Sequence, residues 1–139
     1  MEPIQLTTEE RERLRENGVM TVYLFGSHAQ GIATQNSDID FGILLHDSSL
    51  VKPGKDILPL YQEMYRILSD VHPTSEIVDI VFLQSGVSLE LQANVVRHGK
   101  LLMDEVPMKR AAYEEQVMLR SADFAPLLRM MDEAILERI

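Results

Sequence analysis

The sequence predicts an α/β or α+β domain built on a small sheet, and three observations carry that expectation. Short β-rich apolar runs at 19–25, 39–45 and 77–83 alternate with segments whose apolar residues recur at helical spacing. Gly, Asn and Pro punctuate the boundaries between them. Composition is that of an ordinary globular chain: 139 residues, 45% hydrophobic and 25% charged, with seven Gly and six Pro. Helix, strand, loop, strand, helix, strand and helix follow in order, then further helices, a pattern that layers helices on a sheet. The length suits a single domain over 1–139, with a core at about 19–103 and C-terminal helices at about 108–139.

Each element has a local reason. Thr7 and Glu10 stand at capping-box spacing, so a helix starts there and runs to about Glu16, where Asn17-Gly18 stops it. Val19 to Phe25 reads as a buried strand. Residues 26–37 are rich in Gly, Ser, Gln and Asn and form a loop with room for one helical turn. Ile39 to Leu45 is the second strand, and a polar loop with Pro53 follows. Asp56 is placed to cap the next helix, with Pro59 in its first turn, where a missing N–H is harmless. Leu60, Tyr61, Met64, Tyr65, Ile67 and Leu68 give that helix its apolar face, Tyr61 and Tyr65 packing on the sheet, and His72-Pro73 ends it. Ile77 to Leu83 is a third strand. A helix from about Val87 to His98 has Gly99 just past its end, and Lys100 to Met103 makes a short edge strand. Beyond Met108 one or two helices are expected, with Pro126 the place for a break.

Composition also excludes classes of function. With no Cys there is no disulfide framework, no thiolate zinc site and no cysteine nucleophile. The first residues lack a basic and then apolar leader, and no apolar stretch nears the roughly 18 residues a membrane helix needs, so the expectation is a cytoplasmic protein. Thirteen basic against 22 acidic side chains leave a net charge of −9 and no basic cluster to track a phosphate backbone, which argues against duplex nucleic acid as a partner.

The chemistry is concentrated in Gly26-Ser27-His28-Ala29-Gln30-Gly31, continuing to Ser37-Asp38-Ile39-Asp40-Phe41. Asp38 and Asp40 are two apart at the start of a strand, so both carboxylates lie on one face while Ile39, Phe41 and Ile43 point into a core. Paired carboxylates repel and call for a cation, and magnesium takes carboxylate oxygens together with substrate phosphates. Gly26-Ser27, straight after a buried strand, offers backbone N–H groups and a hydroxyl to phosphate. Asp79 stands alone in an otherwise apolar strand, where an unpaired buried carboxylate is costly. If that strand adjoins Asp38 and Asp40, three carboxylates converge as a two-metal site requires. An Asp-x-Asp pair alone is usually solvated and a lone Gly-Ser is only a turn; the joint pattern is what points to a metal–nucleoside triphosphate site. The remaining features read as structure: Lys52 and Lys55 as solvated loop residues, His46, His72 and His98 as surface or capping residues, and Met118, Met130 and Met131 as packing.

Gly26-Ser27, ten further residues, then Asp38-Ile39-Asp40 resembles the signature of the DNA polymerase beta-like nucleotidyltransferase superfamily, most nearly its minimal nucleotidyltransferase (MNT-domain) members, over about Val19 to Met103. The resemblance implies a small mixed sheet flanked by helices and a nucleotidyltransferase activity. It implies that Gly26 and Ser27 bind the triphosphate of ATP, that Asp38 and Asp40 ligate two Mg2+ ions, and that Asp79 ligates one of them. Asp38, Asp40 and Asp79 would then be both catalytic and metal-binding. MNT proteins commonly pair as antitoxins with HEPN-domain ribonuclease toxins, some by transferring AMP to a toxin tyrosine, while other members of the superfamily modify aminoglycosides. The resemblance thus implies a HEPN toxin partner, with a small-molecule transferase and a binding-only antitoxin as alternatives. One departure stands out: family members often carry Arg where this chain has His28 and Gln30.

Overall fold

A computed structural model describes residues 4–33, 38–71 and 77–137, with side chains described as far as Ala122. The first helix, α1 (Thr8–Glu16), opens on a complete capping box. Thr7 Oγ1 accepts from the Glu10 amide at 3.1 Å, and the Thr7 amide donates back to Glu10 Oε1 at 2.8 Å. Asn17 closes it and Gly18, at φ +81°, turns the chain into β1 (Val19–Phe25), all of whose residues are buried. A single turn, α2 (Ser27–Gln30), precedes β2 (Ile39–Leu45). A 3-10 turn at Ser48–Val51 leads to α3 (Leu58–Leu68), then β3 (Val78–Phe82), α4 (Leu89–His98), the edge strand β4 (Lys100–Asp104) and α5 (Pro107–Glu137).

The four strands lie in the order β3-β2-β1-β4. β1 pairs antiparallel with β2 and β4, whereas β2 and β3 are parallel. Parallel neighbours need a crossover, and α3 supplies it. The result is a mixed sheet flanked by helices. On one face Ile39, Phe41 and Ile43 join Val22, Leu24, Val78 and Ile80 in a core closed by Leu14 of α1 and by Met64, Ile67 and Leu68 of α3. On the other face Tyr23, Phe25 and Leu44 meet Leu83 and Val95 under α4 and α5. Gly42 lets α4 close onto that face: a Cβ there would lie 3.3 Å from Leu83 Cδ1 and 3.4 Å from Val95 Cγ1. Polar bonds tie α5 down, with Arg110 on Asp104 at 3.0 Å and Tyr113 donating to Gln92 Oε1 at 2.8 Å. Among the described residues no helix is long and apolar enough to cross a membrane.

Several expectations need correction. Asp56 is not the N-cap of α3; Ile57 is, and Asp56 instead accepts from the Leu58 amide at 3.2 Å. α4 starts two residues later than Val87, capped by Ser88. Gly99 is extended at φ −71°, so it is not required for a left-handed turn; a Cβ there would collide with the Val95 carbonyl oxygen. Tyr65 is 43% exposed rather than packed on the sheet, because it lies at the margin of the buried stripe that Met64, Ile67 and Leu68 define. Of the one or two C-terminal helices expected there is one, α5, which runs through Pro126 without a break. The His72-Pro73 stop, Ser37 and the side chains of Met130 and Met131 lie outside the described residues.

The core face of β2 sets the stability of this arrangement. Ile43→Ala, at a position with no exposed surface, is expected to cost about 2–5 kcal/mol in urea unfolding. Lys52→Ala, in an exposed loop, should stay within about 0.5 kcal/mol of the parent in the same assay.

Candidate active site

Three strand ends and one turn build the site. β1 ends at Phe25, which stands opposite Asp40 of β2 in the antiparallel register. The chain then turns through Gly26 at φ +75°, ψ −153°, a conformation open to glycine. Space demands glycine there as well. A Cβ would overlap Asp40 Oδ2 and come within 3.3 Å of Asp40 Cγ. The Gly-Ser turn and the Asp-x-Asp strand, ten residues apart in sequence, are therefore packed against each other. Ser27 opens α2 in a half-buried position, and Gly31 at φ +74° closes that turn.

Asp40 and Asp79 are register partners on the parallel strands β2 and β3, so both side chains leave the same face of the sheet. It is the face opposite to Ile39, Phe41 and Ile43. Asp79, on the neighbouring strand, and Asp38, exposed at the mouth of β2, both act on the Asp40 carboxyl through their charge. Burial first, then the charges of Asp79 and Asp38, push the Asp40 carboxyl up to about 6, against a smaller opposing effect of His28. Of the acidic residues singled out in the sequence, Asp38 and Asp79 both act on Asp40.

The argument that drew attention to Asp79 needs correction. Asp79 is exposed, not buried. β3 is an edge strand whose residues alternate in burial, so this carboxylate faces solvent at the rim and carries no large desolvation cost. Among the described residues no three His, Asp or Glu side chains stand close enough to enclose an ion. The donor chemistry nonetheless fits a hard divalent cation: carboxylate oxygens only, with a central carboxyl whose neighbours already favour added positive charge. Sequence reasoning missed two contributors, Phe25 beside Asp40 and the reach of the His28 charge to it. Both depend on pairing that no local motif reports. Lys52, Lys55, His46 and His98 are exposed as expected.

Comparison with known proteins agrees with this geometry. The family described as polymerase beta, nucleotidyltransferase matches residues 11–107. Among solved structures, a chain of a toxin–antitoxin crystallised with AMP-PNP is 27% identical, with a TM-score of 0.57, covering 94% of this chain and 97% of that one. A mutant of the toxin–antitoxin MntA–HpeT is 27% identical, with a TM-score of 0.59, over 96% of this chain and 97% of that one. A chain from a tri-AMPylated Shewanella oneidensis HEPN toxin in complex with its MNT antitoxin is 21% identical, with a TM-score of 0.60, over 90% and 91%; at that identity the likeness is one of fold. No curated protein matches the chain.

The raised Asp40 pKa has a consequence for stability. The folded chain holds this proton more tightly than the unfolded one, whose value is near 3.8. The favourable contribution is complete below about pH 4 and is lost as pH rises through about 6. In a chelating buffer, Asp40→Asn is therefore expected to stabilise the chain by about 1–2 kcal/mol at pH 7.5, discounted for partial exposure. At pH 4 it should have little effect. Urea unfolding at the two pH values checks it; equal effects at both would show that charge repulsion is not what strains the site.

Proposed function

Because the chain belongs to the polymerase beta nucleotidyltransferase family, we propose that it is an antitoxin enzyme that moves AMP from ATP onto a tyrosine hydroxyl of a HEPN-domain ribonuclease toxin and so silences it. The observation that carries this reading is the packing of the Gly26-Ser27 turn against an Asp40 that shares its surroundings with Asp38 and Asp79. A phosphate-binding turn touching a carboxylate cluster suits nucleotidyl transfer. Likeness to a toxin–antitoxin crystallised with AMP-PNP supports the choice of nucleotide and partner. The whole chain would act as one domain in the cytoplasm, with the catalytic core at about 19–103.

In this mechanism the Gly26 and Ser27 backbone N–H groups and the Ser27 hydroxyl hold the triphosphate. Asp38 and Asp40 would hold two Mg2+ ions and Asp79 one of them. Bound there, the ions would supply Lewis acidity for the acceptor oxygen and the leaving pyrophosphate. Asp79, open to solvent on the rim, takes the proton from the tyrosine hydroxyl. The hydroxyl oxygen forms a bond to the α-phosphorus as the bond to the bridging oxygen breaks, and pyrophosphate leaves. His28 and Gln30 stand where related chains often have Arg, so less fixed positive charge faces the phosphates.

Intact-mass spectrometry of a HEPN-domain partner, incubated with this chain, Mg2+ and each nucleoside triphosphate, tests the proposal. The expected result is a gain of one or more AMP units. Asp38→Ala/Asp40→Ala should lower its rate at least about a hundredfold. No gain despite a stable complex would replace the enzyme with a binding-only antitoxin. No gain and no complex would point to a small-molecule acceptor.

A further inference from the structure

Behind α2, on the α1 side of the sheet, lies a cleft of about 640 Å³ that the catalytic reading does not use. Its size is that of a small-ligand pocket. Apolar residues floor it: Ile4 and Leu24 are buried, and Leu102 is half-buried on the edge strand β4. Among the described residues its charged or ionisable lining is basic, with Arg11 from α1, His28 from α2 and Lys100 from the start of β4. No acidic side chain is among those lining residues, in a chain with 22 acidic and 13 basic residues. Arg11 and Lys100 are exposed, and among the described residues neither has an ion-pair partner, while Arg13, Arg15, Arg66 and Arg110 each do.

We infer that this cleft is a second ligand site, taking an organic phosphate of nucleotide size with its apolar body on the Leu24–Leu102 floor and its phosphates between Arg11 and Lys100. Two basic side chains that enter no ion pair among the described residues, Arg11 and Lys100, beside an apolar floor match a ligand that is anionic at one end and flat and apolar at the other. The carboxylates lie on the other face of the sheet, so the site needs no divalent cation. Its wall is α2, the same turn that begins at Ser27; an occupant here therefore touches the element that presents the Gly-Ser turn. The inference does not depend on the proposed reaction.

The test is isothermal titration with ATP in a chelating buffer, on the parent chain and on two variants. Expected is saturable one-to-one binding without metal. Arg11→Ala/Lys100→Ala should weaken it at least about tenfold, and Asp38→Ala/Asp40→Ala should change it less than about threefold. Both basic residues are exposed, and an unchanged melting temperature confirms a folded variant; Arg11→Gln/Lys100→Gln serves if the alanine pair is unstable. Absence of saturable metal-free binding would overturn the inference. So would equal affinity in the Arg11/Lys100 variant, or a larger change in the Asp38/Asp40 variant, which would place the ligand at the carboxylates. Catalysis is not read in this experiment, so its failure leaves the proposed reaction untouched, and the mass assay leaves the cleft untouched.

Discussion

Strands β2 and β3 run parallel with Asp40 opposite Asp79, and the rest of this end of the sheet follows from holding those two like charges together. Coulomb repulsion at strand spacing disfavours the arrangement, and Asp38 adds to it. What holds it is on the other face. Ile39, Phe41 and Ile43 have no exposed surface, and β2 is paired on both sides, so Asp40 rides on a firmly anchored interior strand. Gly26 completes the constraint, since only a residue without a Cβ lets the turn after β1 approach Asp40.

Much of this was legible in the sequence, and the reason differs by element. β1 and β2 were readable because each is a short β-rich apolar run, and α1 because its capping box is a local pattern. The Gly-Ser and Asp-x-Asp halves of the site were readable because strand alternation alone puts Asp38 and Asp40 on one side. What escaped was set by tertiary placement. Nothing local distinguishes an edge strand from a central one, so Asp79 was expected buried and is exposed. Gly99 looked like a left-handed stop but answers to a carbonyl of α4. Arg11 and Lys100, far apart in the chain, line one cleft only because β4 docks beside β1.

The two faces of the sheet divide the electrostatics. One end of one face gathers acidic groups, and the opposite face gathers basic ones behind α2. A net charge of −9 conceals this division, since it describes the average surface and not the local field that a phosphate would meet. The short turn α2 lies between the two regions, and His28 belongs to both: it lines the basic cleft, and its charge is felt at Asp40.

The parallel pairing of β2 with β3 also has a bearing on how the chain comes to life during synthesis. β1 and β2 are neighbours in the sequence and can pair early, but β3 must wait for all of α3. Asp38 and Asp40 thus leave the ribosome well before Asp79, and zippering β3 onto β2 is a long-range step of the kind that folds late. That same step brings the repelling carboxylates together. A nascent chain therefore carries the Gly-Ser turn and two of the acids before the third joins them on β3.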